Sequence, residues 1–172
     1  ILRLIIFLAG IALVYFFWEW NGAKLLSDAL HSPATVNAQL VGTLAPDLKI
    51  PKEQMRNKQE FLLKDRKGQA VIVHFWATWC GPCEVEIPWF KEFEQTYKDK
   101  GFAVIGVSED EGGWPTVRAY VEARKMNYRV LLDTDSNKMP SPYKEIQGLP
   151  TTFLIDRQGR VAITHTGLVS KS

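Results

Sequence analysis

The apolar residues of this chain fall into one long block and several short ones. Ile1 to Trp18 is almost wholly apolar, with Arg3 the only charge before Glu19. A helix of that length spans roughly 27 Å, close to the hydrocarbon thickness of a bilayer. Val71 to Trp76 is apolar except for His74, which predicts a central strand buried on both faces. Phe102–Val107 and Tyr128–Leu132 read as further buried strands, and Glu60–Leu63 as a short one. Thr152–Ile155 and Val161–Thr164 flank the turn-rich Asp156-Arg157-Gln158-Gly159 and predict a hairpin. Between the strands the period changes. Phe90, Phe93 and Tyr97 recur at helical spacing within a predicted helix from Pro82 to Lys98. Pro115–Lys125 follows suit, with Val117, Tyr120 and Val121 on one face, and a short helix is expected within Met139–Ile146. Pro82 suits a first helical turn; Pro88 falls inside the helix, where it is expected to kink it. Strands alternating with helices and closing on a hairpin predict an α/β sandwich with a mixed sheet.

The first block sets the domain organisation. Tyr15, Trp18 and Trp20 gather at one end of it, as aromatics do at a membrane interface. Arg3 marks the other end, which the positive-inside rule places in the cytoplasm. Residues 1–20 are therefore expected to be a transmembrane anchor, 21–42 a spacer containing Asn21-Gly22 and His31-Ser32-Pro33, and 43–172 the folded domain. A cleaved secretory signal has a similar layout, but the bulky Trp18-Glu19-Trp20 offers no small-residue cleavage site. Either reading delivers the domain to the extracytoplasmic side.

Charge and cysteine content narrow the chemistry. A formal net charge of +2 with no basic stripe predicts no nucleic-acid partner. The two cysteines are Cys80 and Cys83, too close together to staple a fold. They lie between a predicted strand and a predicted helix, the setting in which Cys-x-x-Cys reads as a redox pair. A helix N-terminus favours a thiolate, through unpaired N–H groups and the positive end of the helix dipole. Cys80 at the cap is thus the expected nucleophile. Cys83, one turn in, is the expected resolving thiol, closing a redox-active Cys80–Cys83 disulfide with no other cofactor. Gly81-Pro82 permits the tight turn. A zinc site would need two more ligands, and the histidines are His31, His74 and His165.

Phe75-Trp76-Ala77-Thr78-Trp79-Cys80-Gly81-Pro82-Cys83 resembles the active-site segment of the thioredoxin superfamily, and Gly148-Leu149-Pro150-Thr151 resembles its cis-proline segment. The resemblance implies a thioredoxin-like fold, a central mixed β-sheet flanked by helices. It also implies a cis bond before Pro150, opposite the cysteines, and pairing of a bound substrate strand with the Leu149 backbone. Trp79, Gly81 and Pro82 would contribute to the substrate surface. Ala45-Pro46-Asp47, Glu86-Ile87-Pro88 and a helix–strand insert at about 115–132 are similar to the TlpA/ResA/CcmG branch. These are membrane-anchored extracytoplasmic proteins of bacteria, several of which reduce apocytochrome c before haem attachment. The branch implies protein thiol or disulfide substrates and a membrane electron donor of DsbD/CcdA type.

The chain departs from these patterns in places. Gly-Pro between the cysteines is the thioredoxin dipeptide, which favours a reductant, while branch members often carry another first residue. His74 stands where thioredoxin has a buried Asp. It reads either as a proton carrier for Cys83 or as a hydrogen-bonded core residue. Glu86 reads either as a nearby acid or as a solvated helix-surface residue. The family closes its sheet with a C-terminal helix, which is expected to be missing from 43–172. Trp76 is expected in the core; Trp89 and Trp114 carry no functional reading beyond packing or surface contact. Three rival functions remain. They are a thiol oxidase or isomerase, a peroxidase, and a Sco-like copper chaperone with His165 as the distant ligand.

Overall fold

The computed structural model describes residues 40–50, 60–133, 139–140 and 142–169. The expected anchor at 1–20 and most of the spacer lie outside the described residues. Among the described residues no helix is long and apolar enough to cross a membrane.

The frame is a five-stranded sheet. After a two-stranded ribbon of β1 (Lys49–Ile50) and β2 (Phe61–Leu62), the chain enters β3 (Ala70–Trp76). There follow α1 (Gly81–Tyr97), β4 (Phe102–Ser108), α2 (Gly113–Ala123), β5 (Arg129–Leu132), β6 (Thr151–Ile155) and β7 (Val161–Thr166). The strand order is β5-β4-β3-β6-β7. β3 runs parallel to β4 and antiparallel to β6, so the sheet is mixed. The helix and strand after β4 fall close to their expected positions. Met139–Ile146 instead holds a single 3-10 turn, Tyr143–Glu145.

The continuous apolar run of β3 has the expected cause. Its odd positions, Val71, Val73 and Phe75, join a core with Leu48, Phe61, Ile105, Val107, Phe153 and Tyr143. Tyr143 donates to the Pro46 carbonyl at 3.0 Å, tying the start of the domain to this layer. The even positions face α1 and α2. Ile72 packs with Phe90, Val104 and Tyr128; Trp76 packs with Ile87, Val117 and Leu132. Trp76 is fully buried, as expected, and Trp114 packs at the edge of the same cluster.

His74, also on the helix face, sits beside Gly106 of β4. A Cβ on Gly106 would lie 2.9 Å from Trp76 Nε1 and 3.1 Å from Tyr128 Cε2. Both rings are buried and cannot retreat, so the position excludes even a methyl group. Gly106→Ala is expected to cost about 1–3 kcal/mol of stability, the usual penalty for overpacking. A drop in urea midpoint at unchanged slope would register it; an unchanged midpoint would mean that the rings can move apart.

Candidate active site

β3 ends at Trp76, and Ala77-Thr78-Trp79 leads into α1. Cys80 caps that helix in an extended conformation (φ −86°, ψ 98°), and its Sγ accepts the Cys83 N–H at 3.3 Å. Pro82 occupies the first turn, where its missing donor costs nothing. The two cysteines form a disulfide with Cα atoms 5.3 Å apart. Cys80 keeps 6% of its surface exposed and Cys83 none, so a partner can reach only Cys80.

Trp79 is 71% exposed; Gly81 and Pro82 are exposed beside it. The Leu149–Pro150 bond is cis. Leu149 packs against the cluster that contains Cys80, Cys83, Trp76 and Ala77. Gly167 N–H donates to the Pro150 carbonyl at 2.8 Å and so fixes this segment to the end of β7.

Asp110 was not singled out from sequence, where it belongs to an acidic loop. It is 4% exposed and holds the active-site turn. Its carboxylate accepts the Thr78 N–H at 3.0 Å, the Thr78 hydroxyl at 2.6 Å and the Ser108 hydroxyl at 2.7 Å. Three donors in a buried place stabilise a charge that would otherwise be expensive. That charge acts on its neighbour. Glu109 is pushed up to about 7, by burial first and then by Asp133 and Asp110. A carboxyl raised from about 4.5 binds a proton more tightly folded than unfolded, so stability falls as pH rises through 4.5 to 7. Glu109→Gln is therefore expected to stabilise the domain above pH 7 by about 1–2 kcal/mol after allowance for partial exposure. At pH 4.5 it should do almost nothing; equal effects at both pH values would contradict this.

Two polar side chains, one on β3 and one on α1, are buried against each other. His74 and Glu86 are both 0% exposed, with His74 Nε2 3.1 Å from Glu86 Oε2. The contact lies off the line of a full hydrogen bond. The other carboxylate oxygen, Oε1, accepts the Val169 N–H at 2.7 Å. The solvated-surface reading of Glu86 is thus overturned: it shares the buried stripe of α1 with Cys83, Ile87 and Phe90. Burial holds His74 below the usual imidazole range, against an opposing pull from Glu86, so it is neutral. The His74 ring also packs on Phe90, centroids 4.6 Å apart.

His165 takes the exposed strand position expected for it, with Nε2 3.2 Å from the Leu168 carbonyl. Among the described residues no group of three or more His, Cys, Asp or Glu side chains is arranged to hold a metal.

Fold and site define a class: thioredoxin-like proteins built for thiol–disulfide exchange at a Cys-x-x-Cys pair. Within it, the chain belongs to the AhpC/TSA family, whose model matches residues 41–164. It is 32% identical over 134 residues to the thiol-disulfide oxidoreductase ResA of Geobacillus kaustophilus, covering 78% of this chain and 74% of that protein. To ResA of Bacillus cereus it is 39% identical over 99 residues, 58% of this chain. That match spans only 56% of the B. cereus protein. Among solved structures it resembles a Chlorobium tepidum thiol:disulfide interchange protein assigned to the DsbE type. The TM-score is 0.66 at 33% identity, covering 75% of this chain and 86% of the other.

Proposed function

We propose that this chain is a thiol–disulfide oxidoreductase that reduces disulfides in proteins outside the cytoplasm. The observation that carries the reading is the Cys80–Cys83 pair at the start of α1, with Cys80 alone at the surface and the cis Leu149–Pro150 segment against it. The reaction is an exchange. Enzyme dithiol and substrate disulfide become enzyme disulfide and substrate dithiol, with Cys80 attacking and Cys83 resolving. Trp79, Gly81, Pro82 and Leu149 form the surface on which the substrate strand lies.

The reducing direction is supported by the Gly-Pro dipeptide. Membrane tethering is supported by the apolar block at 1–20, and a role in cytochrome c maturation by the similarity to proteins named ResA. A reductant in that compartment needs electrons from a membrane donor of DsbD/CcdA type. Equilibration of the chain with glutathione or dithiothreitol buffers tests the direction. A potential near thioredoxin's ~−270 mV is expected; a value above about −180 mV would make the protein an oxidase or isomerase.

A further inference from the structure

The end of the sheet away from the disulfide carries a charge pattern that no single stretch of sequence displays. Three turns far apart in the chain meet there. They are Lys64-Asp65-Arg66-Lys67-Gly68 before β3, Lys98-Asp99-Lys100-Gly101 before β4, and Asp156-Arg157-Gln158-Gly159-Arg160 between β6 and β7. Gly68 N–H donates to the Arg157 carbonyl at 2.9 Å and Ala70 N–H to the Gly101 carbonyl at 2.9 Å. The Arg157 guanidinium donates to the Lys100 carbonyl at 3.0 Å. Together the turns hold seven Lys or Arg and three Asp, a net charge of +4, whereas the whole chain carries +2. The rest of the chain is therefore net negative. Asp156 is moreover occupied, its Oδ1 accepting the Gln158 and Arg160 N–H groups. At the opposite, active-site end, Glu109, Asp110 and Glu111 follow β4 and Asp133 follows β5. The domain is thus polarised along its strands, basic at the base and acidic beside the disulfide.

A cavity of about 160 Å³ opens among the basic turns. Leu63, Val71 and Ile155 line it and are buried, so its floor is apolar. Lys64, Arg66 and Lys67 line it as well, and so does Leu44, which is 61% exposed. Asp156 is the acid that lines it. The start of the described domain is bonded to this same end: Arg160 Nη1 donates to the Gly42 carbonyl at 2.8 Å, and Ala45 N–H to the Gly159 carbonyl at 2.8 Å. The chain therefore enters the domain at its basic end.

We propose that this end binds anionic phospholipid and seats the domain on the surface of a bilayer. A headgroup phosphate lies among Lys64, Arg66 and Lys67, and the glycerol-ester region meets Leu44 and the apolar floor. Cations around an apolar hollow suit an amphiphile; a free phosphate or a nucleic-acid backbone would leave the apolar part unused. The inference rests on the membrane tether proposed above, since residues 21–39 are long enough for the base to lie on the bilayer that holds residues 1–20. Repulsion of the acidic end by the same lipids fixes the orientation. The seven residues of β3, at ~3.3 Å each, then hold Cys80 roughly 20 Å above the surface, facing substrates in the aqueous compartment. Each Lys or Arg contributes only about fivefold in affinity near an anionic surface, so the domain can lift off to meet a donor in the membrane.

Lysine acylation by a water-soluble succinimidyl ester, read residue by residue in a mass spectrometer, tests this. The full chain is placed in nanodiscs of phosphatidylcholine with or without phosphatidylglycerol. Phosphatidylglycerol is expected to slow acylation of Lys64, Lys67 and Lys100 by about fivefold or more, to leave exposed Lys144 unchanged, and to lose its effect at high salt. Lys67→Glu combined with Lys100→Glu should restore full acylation of Lys64 without changing the rate of reaction with dithiodipyridine. Equal acylation in both kinds of disc, or protection of Lys144 as strong as that of Lys67, would overturn the docking. So would equal protection by glycerophosphate or polyglutamate without discs, which would make the site one for soluble anions or acidic proteins. Co-elution with pure phosphatidylcholine discs reports the tether separately. A chain that co-elutes only with phosphatidylglycerol discs, its basal lysines protected, would overturn the tether and sustain the docking.

Discussion

Cys83→Ser is expected to convert this protein into a trap. Cys80, still at the helix cap with 6% of its surface open, attacks a substrate disulfide and forms a mixed disulfide. The residue that would release it has become a hydroxyl, which cannot attack sulfur at neutral pH. The adduct should persist on non-reducing gels and vanish with dithiothreitol, and mass spectrometry of adducts from cells names the substrate. Cys80→Ser should lower exchange by roughly three orders of magnitude or more, because the exposed nucleophile is gone and Cys83 is sealed beneath it. The asymmetry follows from the helix. The Cys83 N–H points at Cys80 Sγ from 3.3 Å, so a thiolate at Cys80 gains a charge-assisted donor in addition to the helix dipole. Adducts captured by Cys80→Ser and not by Cys83→Ser would reverse the two roles.

The same helix shows why some of the site was legible in sequence and some was not. The cysteine pair, the strand before it and the Pro150 segment are local patterns, and a local pattern survives without knowledge of the fold. Glu86 was half legible. Its spacing from Cys83, Ile87 and Phe90 puts it on the buried stripe of α1, yet a carboxylate is usually solvated, and residue type outweighed position. What reverses that preference is non-local: the N–H of Val169, 83 positions away in sequence. Asp110 was hidden for the same reason, since its donors lie at Thr78 and Ser108 on two different strand ends. The alignment of His165 beside Thr152 needed the register of β6 against β7. An irregularity between Leu154 and Ile155 shifts that register, so counting back from the Asp156–Gly159 turn misaligns it. Gly106 reads as an indifferent strand glycine until two rings from elsewhere are seen to cross it.

Glu86→Ala is expected to be among the most destabilising single changes outside the apolar core, at about 2–4 kcal/mol. Three losses coincide there. A fully buried side chain is cut to a methyl group, the Val169 N–H loses its acceptor, and His74 Nε2 loses its only polar contact among the described residues. Glu86→Gln keeps the shape and an acceptor oxygen and should cost only about 1 kcal/mol. His74 adds a pH signature. Its folded-state affinity for a proton is below that of the unfolded chain, because burial penalises the imidazolium more than Glu86 rewards it. Below about pH 6.5 the unfolded state therefore takes up a proton that the folded state refuses. The stability associated with His74 is complete above pH 6.5 and is lost as pH falls below it, by up to ~1.4 kcal/mol per pH unit until the folded imidazole itself charges. His74→Leu should flatten that part of the stability curve even though it lowers the whole curve by leaving Glu86 Oε2 without its neighbour. Urea midpoints measured between pH 5 and 7.5 distinguish the outcomes. A variant that loses stability below pH 6.5 as steeply as the parent would mean that His74 carries its proton in the folded protein, and that Glu86, not burial, sets its charge.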